Sequence, residues 1–184
     1  VVYHLAALSD VVPSIEEPIE YLDTNIMGTV NVLESMRKNN VNKIIYAASS
    51  SCYGIPKKYP TNEKSDINPM YPYAFSKNIG EQTIRHWSKI YKIDFISLRL
   101  FNVYGTRSRT NSAYGAALGV FLKQKISNHP FTIIGNGKQK RDFVYISDVV
   151  EAFYLSLNKN VKNLILNVGS GKPRSVNEMV DILE

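Results

Sequence analysis

Three short apolar runs constrain what this chain can fold into. They are residues 1–6 (Val-Val-Tyr-His-Leu-Ala), 43–48 (Lys-Ile-Ile-Tyr-Ala-Ala) and 94–100 (Asp-Phe-Ile-Ser-Leu-Arg-Leu). Continuous apolar runs of this length read as strands buried on both faces, the habit of a parallel sheet. Parallel neighbours need a crossover connection, normally a helix. The intervening segments supply one each. Ile19, Leu22, Ile26, Val30 and Leu33 recur at helical spacing after Pro13 and Pro18, and residues 73–91 follow the second run. Downstream, helices are expected at 116–128 and from Ser147 or Asp148 to 157, the latter with Val149, Val150, Phe153, Tyr154 and Leu157 as its core face. A short strand is expected at 131–134, an extended piece at 143–146 and a last strand at 164–168, with Ser175 capping a final helix. Strand and helix in alternation predict a doubly wound α/β fold with a parallel sheet.

In such sheets ligands bind outside the carboxyl ends of the strands. Ser49, Ser50 and Ser51 fall at the end of the second strand, and Pro72 opens the helix that follows. Tyr73 and Lys77 sit four apart on that helix and share a face. Gly80, Ile84, Trp87 and Tyr91 continue the stripe. A free phenol has a pKa of about 10, and a neighbouring ammonium favours the phenolate. A tyrosine lowered in this way exchanges a proton with an alcohol, and a serine hydroxyl can hold the same oxygen. Gly28 interrupts the preceding helix, where glycine costs about 1 kcal/mol against alanine. It suggests close packing or a nearby ligand, with simple tolerance as the alternative.

The net charge of +6 comes from 22 basic and 16 acidic residues, and the lysines are scattered. That favours no nucleic-acid stripe but leaves cations for an anionic substrate. The single cysteine, Cys52, excludes an internal disulfide and reads as packing. His86 and His129 read as surface and loop residues. No metal is expected, because no His/Asp/Glu cluster has ligand spacing. No apolar run is long enough to span a bilayer, and a cytoplasmic location with no membrane partner is expected.

Six motifs then occur in order. They are His4-Leu5-Ala6-Ala7, Thr24-Asn25-x-x-Gly28-Thr29, Ser49-Ser50-Ser51-Cys52-Tyr53-Gly54, Tyr71-Pro72-Tyr73-x-x-Ser76-Lys77, Arg99-x-Phe101-Asn102-Val103-Tyr104-Gly105 and Gly135-x-Gly137-x-x-x-Arg141-Asp142-Phe143. Together they resemble the extended short-chain dehydrogenase/reductase family, in its NAD-dependent nucleotide-sugar epimerase/dehydratase group. The resemblance covers nearly the whole chain. It implies a Rossmann-like domain at 1–105 and a mainly substrate-binding region at 106–184, incomplete at its end. It implies Tyr73 as general base and acid on the sugar 4-hydroxyl, Lys77 on the nicotinamide ribose, and Ser49 on the reacting oxygen. Leu5, Ala6, Ala7 and Asn25 would line the NAD site with Tyr73 and Lys77. Ser50, Ser51, Asn102 and Arg141 would face the substrate, the last two on its nucleotide diphosphate. An ion pair with Asp142 is the alternative for Arg141.

Family dehydratases carry Asp-Glu where this chain has Ser50-Ser51, and serine cannot protonate a leaving hydroxide as a carboxylic acid can. The resemblance therefore points to epimerisation of a UDP-sugar or other NDP-sugar through a keto-sugar, at C4. Ala47-Ala48-Ser49-Ser50-Ser51 followed later by Ala113-Tyr114-Gly115-Ala116 is similar to the subgroup that accepts UDP-N-acetylhexosamines. The resemblance also implies a homodimer through the Tyr73 helix and its predecessor. The family's glycine-rich dinucleotide loop is not among these residues, and the chain opens inside a strand pattern without Met. An N-terminally truncated protein is expected, binding NAD poorly and inactive by itself. Another reaction of the group stays open, as does a non-catalytic nucleotide-sugar-binding fragment.

Overall fold

The computed structural model describes residues 1–108, 117–158 and 160–184. Its larger sheet is parallel throughout. It contains β1 (Val2–His4), β2 (Lys43–Ser49), β3 (Asp94–Leu100) and β6 (Leu164–Val168), in the spatial order β1-β2-β3-β6. Three of these are the apolar runs of the sequence, and β6 is the expected last strand.

Side chains alternate across the pleat, so β2 feeds two cores. Ile44, Tyr46 and Ala48 face one side, packed with Leu33 and Met36 of α3 (Gly28–Lys38) and Ile84 of α4 (Pro72–Tyr91). Ile45 faces the other with Ile96 and Leu98, under Ala152 and Phe153 of α6 (Ile146–Leu155). Helices on both faces make the sheet doubly wound, as the alternation predicts. Burying each Ile or Leu contributes about 1.5–3 kcal/mol. α4 passes close over β2 at Gly80, where an added Cβ would lie 2.6 Å from the Tyr46 hydroxyl.

The connection from β1 to β2 differs from its apolar pattern. It comprises α1 (Val11–Glu16), α2 (Pro18–Leu22), a π-helical turn at Asp23–Met27, and α3. The buried series is Tyr21, Asn25, Thr29, Leu33 and Met36, while Ile19 is 81% exposed. Two polar residues point inward because each has a buried partner. Gly28 meets nothing within 4 Å of an added Cβ, so close packing does not explain it.

A smaller sheet has the order β4-β5-β7, from β4 (Asn102–Tyr104), β5 (Lys140–Tyr145) and β7 (Pro173–Ser175). β4 and β5 are parallel, and β5 and β7 are antiparallel. Its core joins Phe121 of α5 (Ala117–Ile126) to Val176, Met179 and Val180 of α7 (Val176–Leu183). Ser175 caps α7 in a full capping box with Glu178. Residues 131–134 form no strand. The Gln124 side-chain oxygen accepts from the Thr132 amide at 3.2 Å, which removes a donor a ladder would use, and its nitrogen donates to the Thr132 hydroxyl at 2.8 Å. α6 starts at Ile146 without a side-chain cap, and Val150 and Tyr154 lie outside its core face at 59% and 71% exposed.

Candidate active site

The carboxyl ends of β1, β2 and β3 and the first turns of α4 converge on one region. β2 ends at Ser49, whose hydroxyl accepts from the Ser51 amide at 3.2 Å and lies 2.7 Å from the Ser51 hydroxyl. Ser49 is buried, and Ser50 and Ser51 are half-buried. Pro72 occupies the first turn of α4, so Tyr73 and Lys77 stand on consecutive turns at the helix's amino end.

Burial dominates the electrostatics here. It holds the Tyr73 phenol above its ordinary value; the facing Ser49 hydroxyl opposes the rise, and the Asp10 charge adds to it. The same burial pushes Lys77 down to about 7. In the protein by itself, desolvation outweighs any lowering of Tyr73 expected from its spacing to Lys77. Desolvation disfavours the charged form of each. Lys77 is 4% exposed, and its ammonium has no hydrogen-bond partner among the described residues. It lies 4.2 Å from the centroid of the Tyr46 ring.

Asn25 joins two elements of this region. Its amide nitrogen donates to the Leu8 carbonyl at 3.0 Å and to the Ser76 hydroxyl at 2.9 Å, and its oxygen accepts from the Leu8 amide at 2.9 Å. Ser76 in turn donates to the Tyr73 carbonyl at 2.8 Å. One side chain thus ties the loop after β1 to the first turn of α4. Asn25 sits in the π-helical turn, and such turns recur at functional sites. In that loop Leu5 and Ala6 are exposed and Ala7 is half-buried, which leaves an approachable backbone at the strand's end.

Asn102 and Arg141 belong to the second sheet. Asn102 is exposed and donates to the Asp142 carbonyl at 3.0 Å. The Arg141 guanidinium is exposed and donates only to the Lys140 carbonyl among the described residues. It makes no ion pair with Asp142. That carboxylate instead accepts from the amides of Ser170 and Gly171 and from the Ser170 hydroxyl. Arg141 is thus left available to a solvent-side anion. Residues 113–116 lie outside the described residues. Among the described residues no group of three His, Cys, Asp or Glu is placed to hold a metal ion, and no helix is long and apolar enough to cross a membrane.

A buried polar network beneath the site was not visible in the sequence. Arg99 of β3 bonds both carboxylate oxygens of Glu81 on α4, at 3.0 and 2.6 Å, and the Tyr53 hydroxyl at 2.8 Å. Tyr53 donates to Asn167 at 2.7 Å, and Asn167 fixes the loop through Thr61 and Glu63. The contacting residues lie far apart in sequence, so no local pattern announces them.

The family model for the NAD dependent epimerase/dehydratase family matches residues 1–169. The chain belongs to this family. A Methanocaldococcus jannaschii relative, provisionally named a UDP-glucose 4-epimerase, is 42% identical over 185 residues, covering 100% of this chain and 60% of the relative. The chain superposes with a TM-score of 0.95 on UDP-N-acetylglucosamine 4-epimerase from Methanobrevibacter ruminantium, solved with UDP-N-acetylmuramic acid. That match is 33% identical and covers 99% of this chain and 58% of the other. The Thermus thermophilus UDP-glucose 4-epimerase, solved with NAD, gives a TM-score of 0.89 at 30% identity, covering 98% and 59%. The chain therefore spans about 60% of the length of the relatives it matches.

Proposed function

We propose that this chain carries the proton-transfer site of an NAD-dependent epimerase acting on a nucleotide-diphosphate sugar at C4. The observation that carries the reading is the Ser49 hydroxyl at the end of β2 facing Tyr73, with Lys77 one turn further along α4 and serines, not carboxylic acids, at the two positions after Ser49.

The residues suit NAD. The Lys77 ammonium reaches solvent without a hydrogen-bond partner among the described residues, which suits a ribose diol, and small side chains at Ala6 and Ala7 admit a ring close to the backbone. Lys77, Tyr73 and the 5–7 loop would hold the nicotinamide end, with Asn25 positioning that loop. When bound, NAD supplies the acceptor and donor of hydride at the sugar carbon. The protein supplies the rest. Tyr73 takes the proton of the sugar hydroxyl and returns it, and Ser49 holds the same oxygen. Arg141 and Asn102 receive the diphosphate, for which the guanidinium fork is suited. The division at residue 105 is part of this reading: β5 and β7 follow it and build the substrate side on β4 (Asn102–Tyr104), which lies just before it, although β6 and α6 return to the larger sheet.

The test is product analysis with protein expressed from the complete reading frame, given UDP-glucose and UDP-N-acetylglucosamine without added reductant. Interconversion of 4-epimers is expected. Net loss of water would assign a dehydratase instead, no turnover with NAD bound would point to a different sugar or another reaction of the group, and no turnover without bound NAD would remove the reading. Assembly as a homodimer is proposed with it, supported by exposed apolar residues Ile19, Met27 and Phe75 on the helical face. Sedimentation as a monomer at micromolar concentration would remove that part alone.

A further inference from the structure

We propose that Tyr46 is a positioning residue for Lys77: its ring face carries the ammonium. The inference deepens the proposed function and rests on it for the catalytic meaning of Lys77.

Tyr46 lies within β2 and is 0% exposed. Lys77 Nζ stands 4.2 Å from its ring centroid, and the Tyr46 hydroxyl donates to the Lys77 carbonyl at 3.4 Å. A cation over an aromatic face is held more strongly as it loses solvent, and the Lys77 residue is only 4% exposed. The ammonium has no hydrogen-bond partner among the described residues, and the Tyr46 ring is the protein group beneath it. Gly80 makes the approach possible, since any Cβ there would meet the same hydroxyl.

The other neighbour of the ring supports the arrangement. His4, paired with Tyr46 across β1 and β2, has its ring centroid 5.4 Å from that of Tyr46. His4 Nε2 is 2.9 Å from the Thr29 hydroxyl, and Thr29 donates its one proton to the Asn25 carbonyl at 2.6 Å. Thr29 can therefore only accept from His4, which places the imidazole proton on Nε2. Burial, with the Lys77 charge, lowers His4 to about 4. Near neutral pH His4 is uncharged and does not compete with Lys77 for the ring. The titratable groups around the pair are His4 from β1, Tyr46 from β2, and Tyr73 and Glu81 from α4.

The test compares phenylalanine with 3,4,5-trifluorophenylalanine at position 46 in the protein from the complete reading frame. Fluorination removes the negative ring face at nearly constant shape. The titration of Lys77, read by the 13C shift of its ε carbon, is expected to fall by about one unit from the phenylalanine to the fluorinated protein. Over the same step kcat is expected to fall about tenfold at unchanged melting temperature. Tyr46→Phe itself should stay within about threefold of wild type, because it keeps the ring. An unchanged Lys77 titration across the pair would overturn the proposal and leave the ring as packing. If the wild-type protein turns over no nucleotide sugar, the functional reading fails, and the Lys77 titration still decides this one.

Discussion

Arg99 and Glu81 form an ion pair inside the protein, with Nη2 and Oε1 2.6 Å apart and both side chains 4% exposed. Glu81 stands one turn beyond Lys77 on α4, and its second oxygen also accepts from the Ser97 hydroxyl at 2.7 Å. The pair therefore fixes the roll of the helix that carries Tyr73 and Lys77 against β3. Through Tyr53 it also anchors the segment just after the serine run. Desolvating two charges is costly, so the pair is better evidence for specification of geometry than for net stability.

Removing one partner should be severe. Glu81→Gln leaves the Arg99 charge buried without its counterion, and a loss of about 3–5 kcal/mol is expected. Chemical denaturation would measure it. A loss below about 1 kcal/mol would mean that water or another group reaches Arg99.

Two helical glycines should respond in opposite directions. Gly28→Ala meets nothing within 4 Å, so it should stabilise by about 0.5–1 kcal/mol through backbone entropy. Gly80→Ala places a methyl 2.6 Å from the hydroxyl of a tyrosine with no room to move. Overpacking of this kind costs about 1–3 kcal/mol, which exceeds the helical gain. Paired melting curves would show the contrast, and stabilisation by both substitutions would contradict the packing of α4 on Tyr46.

Stability should also carry the signature of Lys77. Burial lowers its pKa from 10.5 to about 7, so the unfolded chain binds more protons between those values. Its penalty is full below about pH 7 and is relieved as pH rises toward 10.5. Lys77→Met should therefore be more stable than wild type near neutral pH, with the gap closing as pH rises. Denaturation midpoints across that range would read it. A gap that is constant or widens would show that Lys77 is not held in a desolvating site.

The parts of this site that were legible in sequence are those set by local spacing. Tyr73 and Lys77 share a helical face because they are four apart, and Ser49 sits at a strand end because the apolar run stops there. Arg99 and Glu81 are brought together by tertiary packing, which periodicity does not encode. Asn25 and Thr29 misled the apolar pattern for a related reason. They turn inward because Leu8, Ser76 and His4 satisfy them, and the aliphatic stripe at Ile19 turns outward. The depressed Lys77 and raised Tyr73 depend on burial, a quantity that appears only once the chain is folded.

The most direct measurement is turnover of the nucleotide sugar by Tyr73→Phe beside wild type, each from the complete reading frame and matched for bound NAD. Removing the one hydroxyl that exchanges the sugar proton should lower kcat by about 10²–10⁴-fold with NAD content unchanged. A variant that keeps wild-type turnover would contradict the assignment of proton transfer to Tyr73.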